Sequence, residues 1–148
     1  VAISLYISIR FDKKYALFAL LALFHDLLII FGIFSWLGII LSIEVNSLFA
    51  VSLLTIAGYS VNDTVVIFDR IRENLNKSSN NYNETIQTSV NESFRRTLFT
   101  SLTTLIPLLT LILFGSYSLF WFSISLSLGI LIGSYSSILL APSFLIKD

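Results

Sequence analysis

Two acidic side chains interrupt long apolar runs in this sequence, and any chemistry the chain performs has to start from them. Asp26 lies twelve residues after Lys14, and Asp63 lies seven residues before Arg70. At 1.5 Å per helical residue, these offsets put Asp63 about 10 Å and Asp26 about 18 Å inside the charged ends of their segments. An ionisable group in hydrocarbon is costly, and desolvation disfavours the charged form of a carboxyl. Such a group can take up and release a proton, as a proton relay requires. The competing role is structural: a carboxyl that bonds a neighbouring helix and never titrates. For Asp63 the residues leave both roles open. For Asp26, beside His25, the structural role is expected, because sequence neighbours on a helix point to different faces. Arg96 opens a later apolar run from the same side as Asp63 and is its natural counter-charge. A guanidinium there would hold the carboxylate in one conformation and free it in another. Arg96 can equally be an interfacial anchor, the role expected of Arg95.

The elements that carry these residues follow from composition and hydropathy. The 148 residues are 55% hydrophobic and 12% charged, whereas soluble domains carry about 25% charged residues. This is the composition of a membrane protein. Net charge is zero, which gives no indication of a nucleic-acid partner. With no cysteine and one histidine, disulfide chemistry is excluded and a metal site is not expected. Methionine is absent even from position 1, which points to a segment of a longer product. Residues 1–9 are apolar but too short to cross a bilayer and read as a partial span. Four runs, 15–41, 48–68, 97–114 and 119–146, are each long enough to cross as a helix. The fold class is therefore all-α, a polytopic membrane helix bundle embedded in lipid. All nine Lys and Arg residues (10, 13, 14, 70, 72, 77, 95, 96 and 147) fall on one side of such a bundle. The positive-inside rule names that side, with the C-terminus, cytoplasmic. Residues 69–96 form a polar connection on that side. Its low-complexity stretch, Asn76 to Asn83, reads as a solvated loop. Ile86, Val90 and Phe94 mark an amphipathic helix that lies on the membrane or packs on the spans. Thr100, Ser101, Thr103 and Thr104 form one hydroxyl cluster, and Ser134, Ser136 and Ser137 another. Gly129 and Gly133 form a G-x-x-x-G that permits close helix contact, and Pro107 is expected to bend the third full span.

The run from Gly58 to Asn74, GYSVNDTVVIFDRIREN, resembles the signature of the SecF family of bacterial protein-export membrane subunits. Arg10-Phe11, His25-Asp26, Gln87-Thr88, Arg96-Thr97, the TSLTTL run from Thr100 to Leu105, Gly129-Ile130, Gly133, Tyr135 to Ile138 and Ala141-Pro142 resemble further family marks, in the family's order. Departures are small: Ser116 replaces a common glycine, Ser134 a common threonine, and the loop is Asn-rich. The resemblance implies the resistance-nodulation-division type of fold, of which this chain would be the C-terminal membrane part of one half. One span and an extracytoplasmic domain would precede it.

The same resemblance implies a location and a role. The location is the bacterial cytoplasmic membrane. The role is to act with SecD, the SecYEG channel and the SecA motor, using the proton gradient and no cofactor to draw a preprotein across. It places Asp63 on the proton path with Arg96 beside it, and gives Asn62, Thr64, Thr97, His25 and Asp26 supporting roles. Another proton-coupled exporter of that superfamily, moving lipids or small molecules, would use the same carboxylate chemistry. An intramembrane aspartyl protease would also need two carboxylates. Its G-x-G-D is here Ser60-Val61-Asn62-Asp63, and its P-A-L is not matched by Ala141-Pro142-Ser143, so an enzyme is not expected.

Overall fold

A computed structural model describes residues 2–43, 46–77 and 81–146. Five long or medium helices follow one another: α1 (Ala2–Arg10), α2 (Lys13–Leu41), α3 (Ser47–Lys77), α4 (Tyr82–Phe114) and α5 (Tyr117–Tyr135). A π-helical turn, Ser136–Leu140, continues α5 into the short α6 (Ala141–Ser143). The described residues include no strand. Four stretches, Lys13–Leu41, Ser47–Lys77, Tyr82–Phe114 and Tyr117–Ser143, are long and apolar enough to cross a membrane. Large apolar side chains cover the outside of the bundle, among them Ile39, Leu54 and Phe114. In lipid such a surface is the favourable one.

The helices outrun the expected spans at the basic end. The connection 69–96 is mostly helix: α3 continues to Lys77 and α4 begins at Tyr82. The expected amphipathic helix is therefore the first part of α4 and not a separate element. Part of the expected Asn-rich loop, residues 78–80, lies outside the described residues. The expected apolar row packs only in part on the spans, with Val90 against the same core as Ile86. Ile86 is buried, but Phe94 is exposed. The buried row is Thr85, Ser89, Ser93, Thr97 and Ser101, a hydroxyl residue every fourth position. Small side chains there let α4 approach α3 closely, and several hydroxyls satisfy themselves on the carbonyl one turn back, as Ser89 does on Thr85 at 2.7 Å and Ser101 on Thr97 at 2.8 Å. The α4 helix runs unbroken through Pro107.

The core is divided in two. One cluster gathers Ile7, Phe11, Ala19, Ala22, Phe68 and Ile71 with their neighbours. The other gathers Ile30, Phe34, Phe49, Ile56, Leu126 and Ile130. On the buried stripe of α2, Asp26 falls between Ala22 of the first cluster and Ile30 of the second. Ser60 of α3 falls in the same gap, between Ile56 and Val65. A polar layer thus separates two apolar ones.

The G-x-x-x-G of α5 faces α3. A methyl at Gly129 would run into the Ile56 side chain, and one at Gly133 would lie 3.1 Å from Ser60 Cβ. Ile56 is almost fully buried and, being β-branched, has few rotamers to retreat into. Gly129→Ala should therefore cost about 1–3 kcal/mol by overpacking. Thermal unfolding in detergent checks this, and Ile56→Ala added to Gly129→Ala should recover part of the loss.

Candidate functional site

Asp26 is fully buried. Its Oδ2 accepts hydrogen bonds from Ser60 Oγ of α3 and from Ser136 Oγ of the π turn, each at 2.6 Å. Its Oδ1 lies 3.2 Å from His25 Nδ1. Three elements therefore meet on one carboxyl. Sequence neighbours do diverge here, with Asp26 turned inward and the His25 side chain 38% exposed on the flank. The imidazole nonetheless reaches back to its neighbour, so the two are in contact, contrary to the expectation from helix geometry.

The π turn explains how two consecutive serines serve this layer. Ser136 and Ser137 are both fully buried. Ser136 reaches Asp26, while Ser137 Oγ donates to the Ser60 carbonyl at 3.3 Å and lies 2.9 Å from Thr64 Oγ1. The Ala141 N–H bonds the Ser136 carbonyl five residues back, which widens the turn and narrows the angle between successive side chains. The widening comes just before Pro142, which has no N–H to give and whose ring crowds the carbonyl four residues earlier. Further hydroxyl pairs tie α5 to its neighbours: Ser52 with Ser125 at 2.7 Å, and Ser101 with Ser134 at 2.5 Å.

Asp63 is treated differently. It is 4% exposed, and its Oδ2 is buried with no hydrogen-bond partner. Among the described residues no ion pair within 4.0 Å joins it to Arg96. Arg96 lies on α4 toward the basic end. Its own side chain is exposed and lines a cavity of about 400 Å³ at the basic end with Val66, Asp69, Arg70, Glu73, Glu92 and Ser93. Of the expected supporting residues, Thr64 is buried in the hydroxyl layer and Thr97 is buried on α4. Asn62 turns outward, into a shallow lateral groove with Ile3, Tyr6, Gly58, Val61 and Val65. The structure thus brings His25, Asp26 and Thr64 into one polar layer, and leaves Asn62 outside it. Among the described residues no group of three His, Asp or Glu could hold a metal ion.

A polar cap closes the basic end. Arg10 bonds Asp69 at 2.7 Å, Arg70 bonds Glu92 at 2.7 Å and Glu73 at 2.9 Å, and Asn74 bonds both Ser89 and Glu92 at 2.9 Å. The run from Gly58 to Asn74 therefore divides: its first half supplies the buried layer, its second half the cap. Sequence reasoning missed Ser60, although it is four residues from Ile56 and thus on the same face. It noted Ser136 and Ser137 as part of a hydroxyl cluster and of a family mark, without a partner for either.

These environments predict opposite stability effects. Ser136→Ala leaves Asp26 with one hydroxyl donor fewer and should destabilise the bundle by about 1–3 kcal/mol. Asp63→Asn removes a charge that no partner satisfies and should leave the unfolding midpoint unchanged or raise it. Thermal unfolding of the two variants in the same detergent decides.

Comparison with known proteins places this geometry. The family described as protein export membrane protein SecD/SecF, C-terminal, matches residues 1–147. The protein translocase subunit SecF of Prochlorococcus marinus is 61% identical over 144 residues, covering 97% of this chain and 45% of that protein. The SecF of Synechocystis is 47% identical over 142 residues, covering 95% and 45%. The crystal structure of SecDF, a translocon-associated membrane protein from Thermus thermophilus, superimposes with a TM-score of 0.89 at 39% identity, over 96% of this chain and 19% of that one. SecDF in a super-membrane-facing form gives 0.85. The chain spans a little under half the length of these SecF relatives. A match along nearly all of its residues, joined to the four membrane-crossing helices, makes it a multi-pass membrane protein that belongs to the SecD/SecF C-terminal family of protein export membrane proteins.

Proposed function

We propose that this chain works as the membrane part of a SecF-type export subunit, in which Asp63 carries protons that drive preprotein translocation. The observation that carries the reading is the buried, unpartnered carboxyl oxygen of Asp63 within a membrane helix. A carboxylate left without donors in a low-dielectric setting is costly, and protonation removes the charge. The same atom would be reached by a donor if α4 shifted to bring Arg96 nearer, so proton loss and helix movement would be coupled. In that cycle Asp63 takes a proton from the far side, the neutral acid crosses to the other arrangement, and release toward the basic end leaves a carboxylate facing Arg96.

The SecDF structures support SecD as a partner, and the family resemblance suggests the rest. SecD is the first, with the SecYEG channel and the SecA motor beyond it, a preprotein as the substrate, and the bacterial cytoplasmic membrane as the location. Arg10, Arg70 and Lys77 would mark the cytoplasmic end. No catalysis of a covalent step is required, since the energy source is the proton gradient and the work is conformational.

The test is Asp63→Asn in full-length SecF carrying this membrane region, with SecD, in inner-membrane vesicles. Asn keeps the size of the side chain but cannot carry a proton. Preprotein translocation measured with and without a proton gradient should lose its gradient-stimulated part at normal protein level. A full gradient response would make Asp63 structural and end this reading.

A further inference from the structure

The proton-carrying role assigned to Asp63 leaves the most enclosed ionisable group unused. We propose that Asp26 is a second proton-exchanging carboxylate, coupled to His25, which latches α2 to α3 and α5 only while it is ionised. This deepens the proton-coupled reading and rests on it for its place in the cycle.

The hydrogen bonds define the latched state. Oδ2 receives two hydroxyl donors, from Ser60 and Ser136, each at 2.6 Å. An ionised oxygen suits two hydroxyl donors at that length. An ionised carboxylate is an acceptor only, whereas a protonated one carries a donor of its own. Protonation by His25 at Oδ1 would leave Oδ2 a neutral carbonyl oxygen, which holds the two hydroxyls less strongly than a carboxylate oxygen does. Ser136 has somewhere to go: its Oγ already lies 3.1 Å from the Gly133 carbonyl, within its own helix. The hydroxyl is thus poised between a bond across helices and a bond along one. When it turns to Gly133, the link from α2 to the π turn is gone and no buried hydroxyl is stranded.

The imidazole supplies the route. Asp26 is sealed from its surroundings, but His25 is part-exposed and its Nδ1 faces Oδ1 at 3.2 Å. The step is a transfer of one proton: Nδ1–H breaks, Oδ1–H forms, and an imidazolium–carboxylate pair becomes a neutral imidazole and a neutral acid. The charges of the pair cancel in both states, so no net charge is created inside the bundle. The ionisable groups on the elements around Asp26 do not compete. On α3, Asp63 makes no hydrogen bond to this cluster and the Tyr59 hydroxyl points to Ser101 on α4 at 3.5 Å. On α5, Tyr135 is exposed. Among the described residues no Lys or Arg pairs with Asp26.

The latch also has a connection to the rest of the site. Ser137, next to Ser136, holds the Ser60 carbonyl and Thr64, and Thr64 adjoins Asp63. Release of the π turn from Asp26 is felt directly beside the other carboxylate.

The experiment uses the intact SecF–SecD complex in lipid vesicles and infrared difference spectra taken across pH. The expected result is a protonated-carboxyl band that is missing in Asp26→Asn, kept in Asp63→Asn, and shifted in frequency in the Ser60→Ala, Ser136→Ala double variant. His25→Gln should slow exchange of that band's proton for deuterium by about 100-fold, the scale of a lost proton-transfer group. If Asp26→Asn does not accumulate, the serine double variant decides alone, and an unmoved spectrum overturns the proposal. A spectrum of Asp26→Asn identical to the wild type overturns it, as does an Asp26→Asn protein that lacks the band but exports with a full gradient response. Should Asp63→Asn export normally, the role of Asp63 fails, while the Asp26 band still reports on this proposal.

Discussion

A polar atom inside a membrane helix bundle has no water to fall back on, so its partners must come from other helices. The Asp26 carboxyl imposes that constraint on this fold. To be buried it needs donors, and the donors it uses, Ser60 and Ser136, lie on α3 and at the end of α5. These helices can deliver them only if they are close, and the glycines of α5 make them close. Gly129 admits Ile56, and Gly133 admits Ser60 itself. The apolar clusters above and below are then positioned by the polar layer as much as the layer is by them. In lipid, where apolar contact between helices gains little over contact with acyl chains, close packing and such hydroxyl bonds supply the specificity.

Much of this architecture was legible from composition alone. Runs of apolar residues of sufficient length leave few alternatives to membrane helices, and the four crossing stretches match four such runs. Helix ends were less legible, because hydropathy falls where the chain leaves the lipid while helical hydrogen bonding does not. The α3 and α4 helices therefore continue through residues that read as loop. The buried face of α4 was legible only in part: Ile86 is buried and Val90 packs on the core, while Phe94 is exposed. Ile86, Val90 and Phe94 form an apolar row, but in a membrane protein apolarity no longer marks the inside. Beside Ile86, the inward row is the small hydroxyl one from Thr85 to Ser101, visible as a spacing of four once small size is taken as the signal.

The site was legible at the level of residues and not of partners. Asp26, Asp63, Arg96 and the two serines are all conspicuous in the sequence. Which of them meet depends on a π turn that no periodicity announces. A regular helix would separate Ser136 and Ser137 by a larger angle, and one of them would lose its acceptor. Pro142 is the local cause that could have been noticed, since it upsets the turn before it. The contact between His25 and Asp26 depends on rotamers and lies beyond any reading of spacing.

The two carboxyls are held in opposite ways, and this has a mechanical meaning. Asp26 is satisfied by hydroxyls and an imidazole, with no Arg or Lys bonded to it among the described residues. A guanidinium would hold the charge too firmly for the pair to give it up, because removing either partner of a buried ion pair strands the other. A hydroxyl is neutral, rotates about one bond and finds a carbonyl on its own helix when the carboxyl no longer needs it. Helices joined through such groups can separate and rejoin without leaving a buried charge behind. Asp63, by contrast, lacks a donor in this arrangement while Arg96 stands exposed at the basic end. The bundle thus contains one carboxyl whose bonds hold the present packing together and another whose bonds are not yet made. With the proton exchange proposed for Asp26, the polar layer is the place where proton binding and helix packing would act on each other.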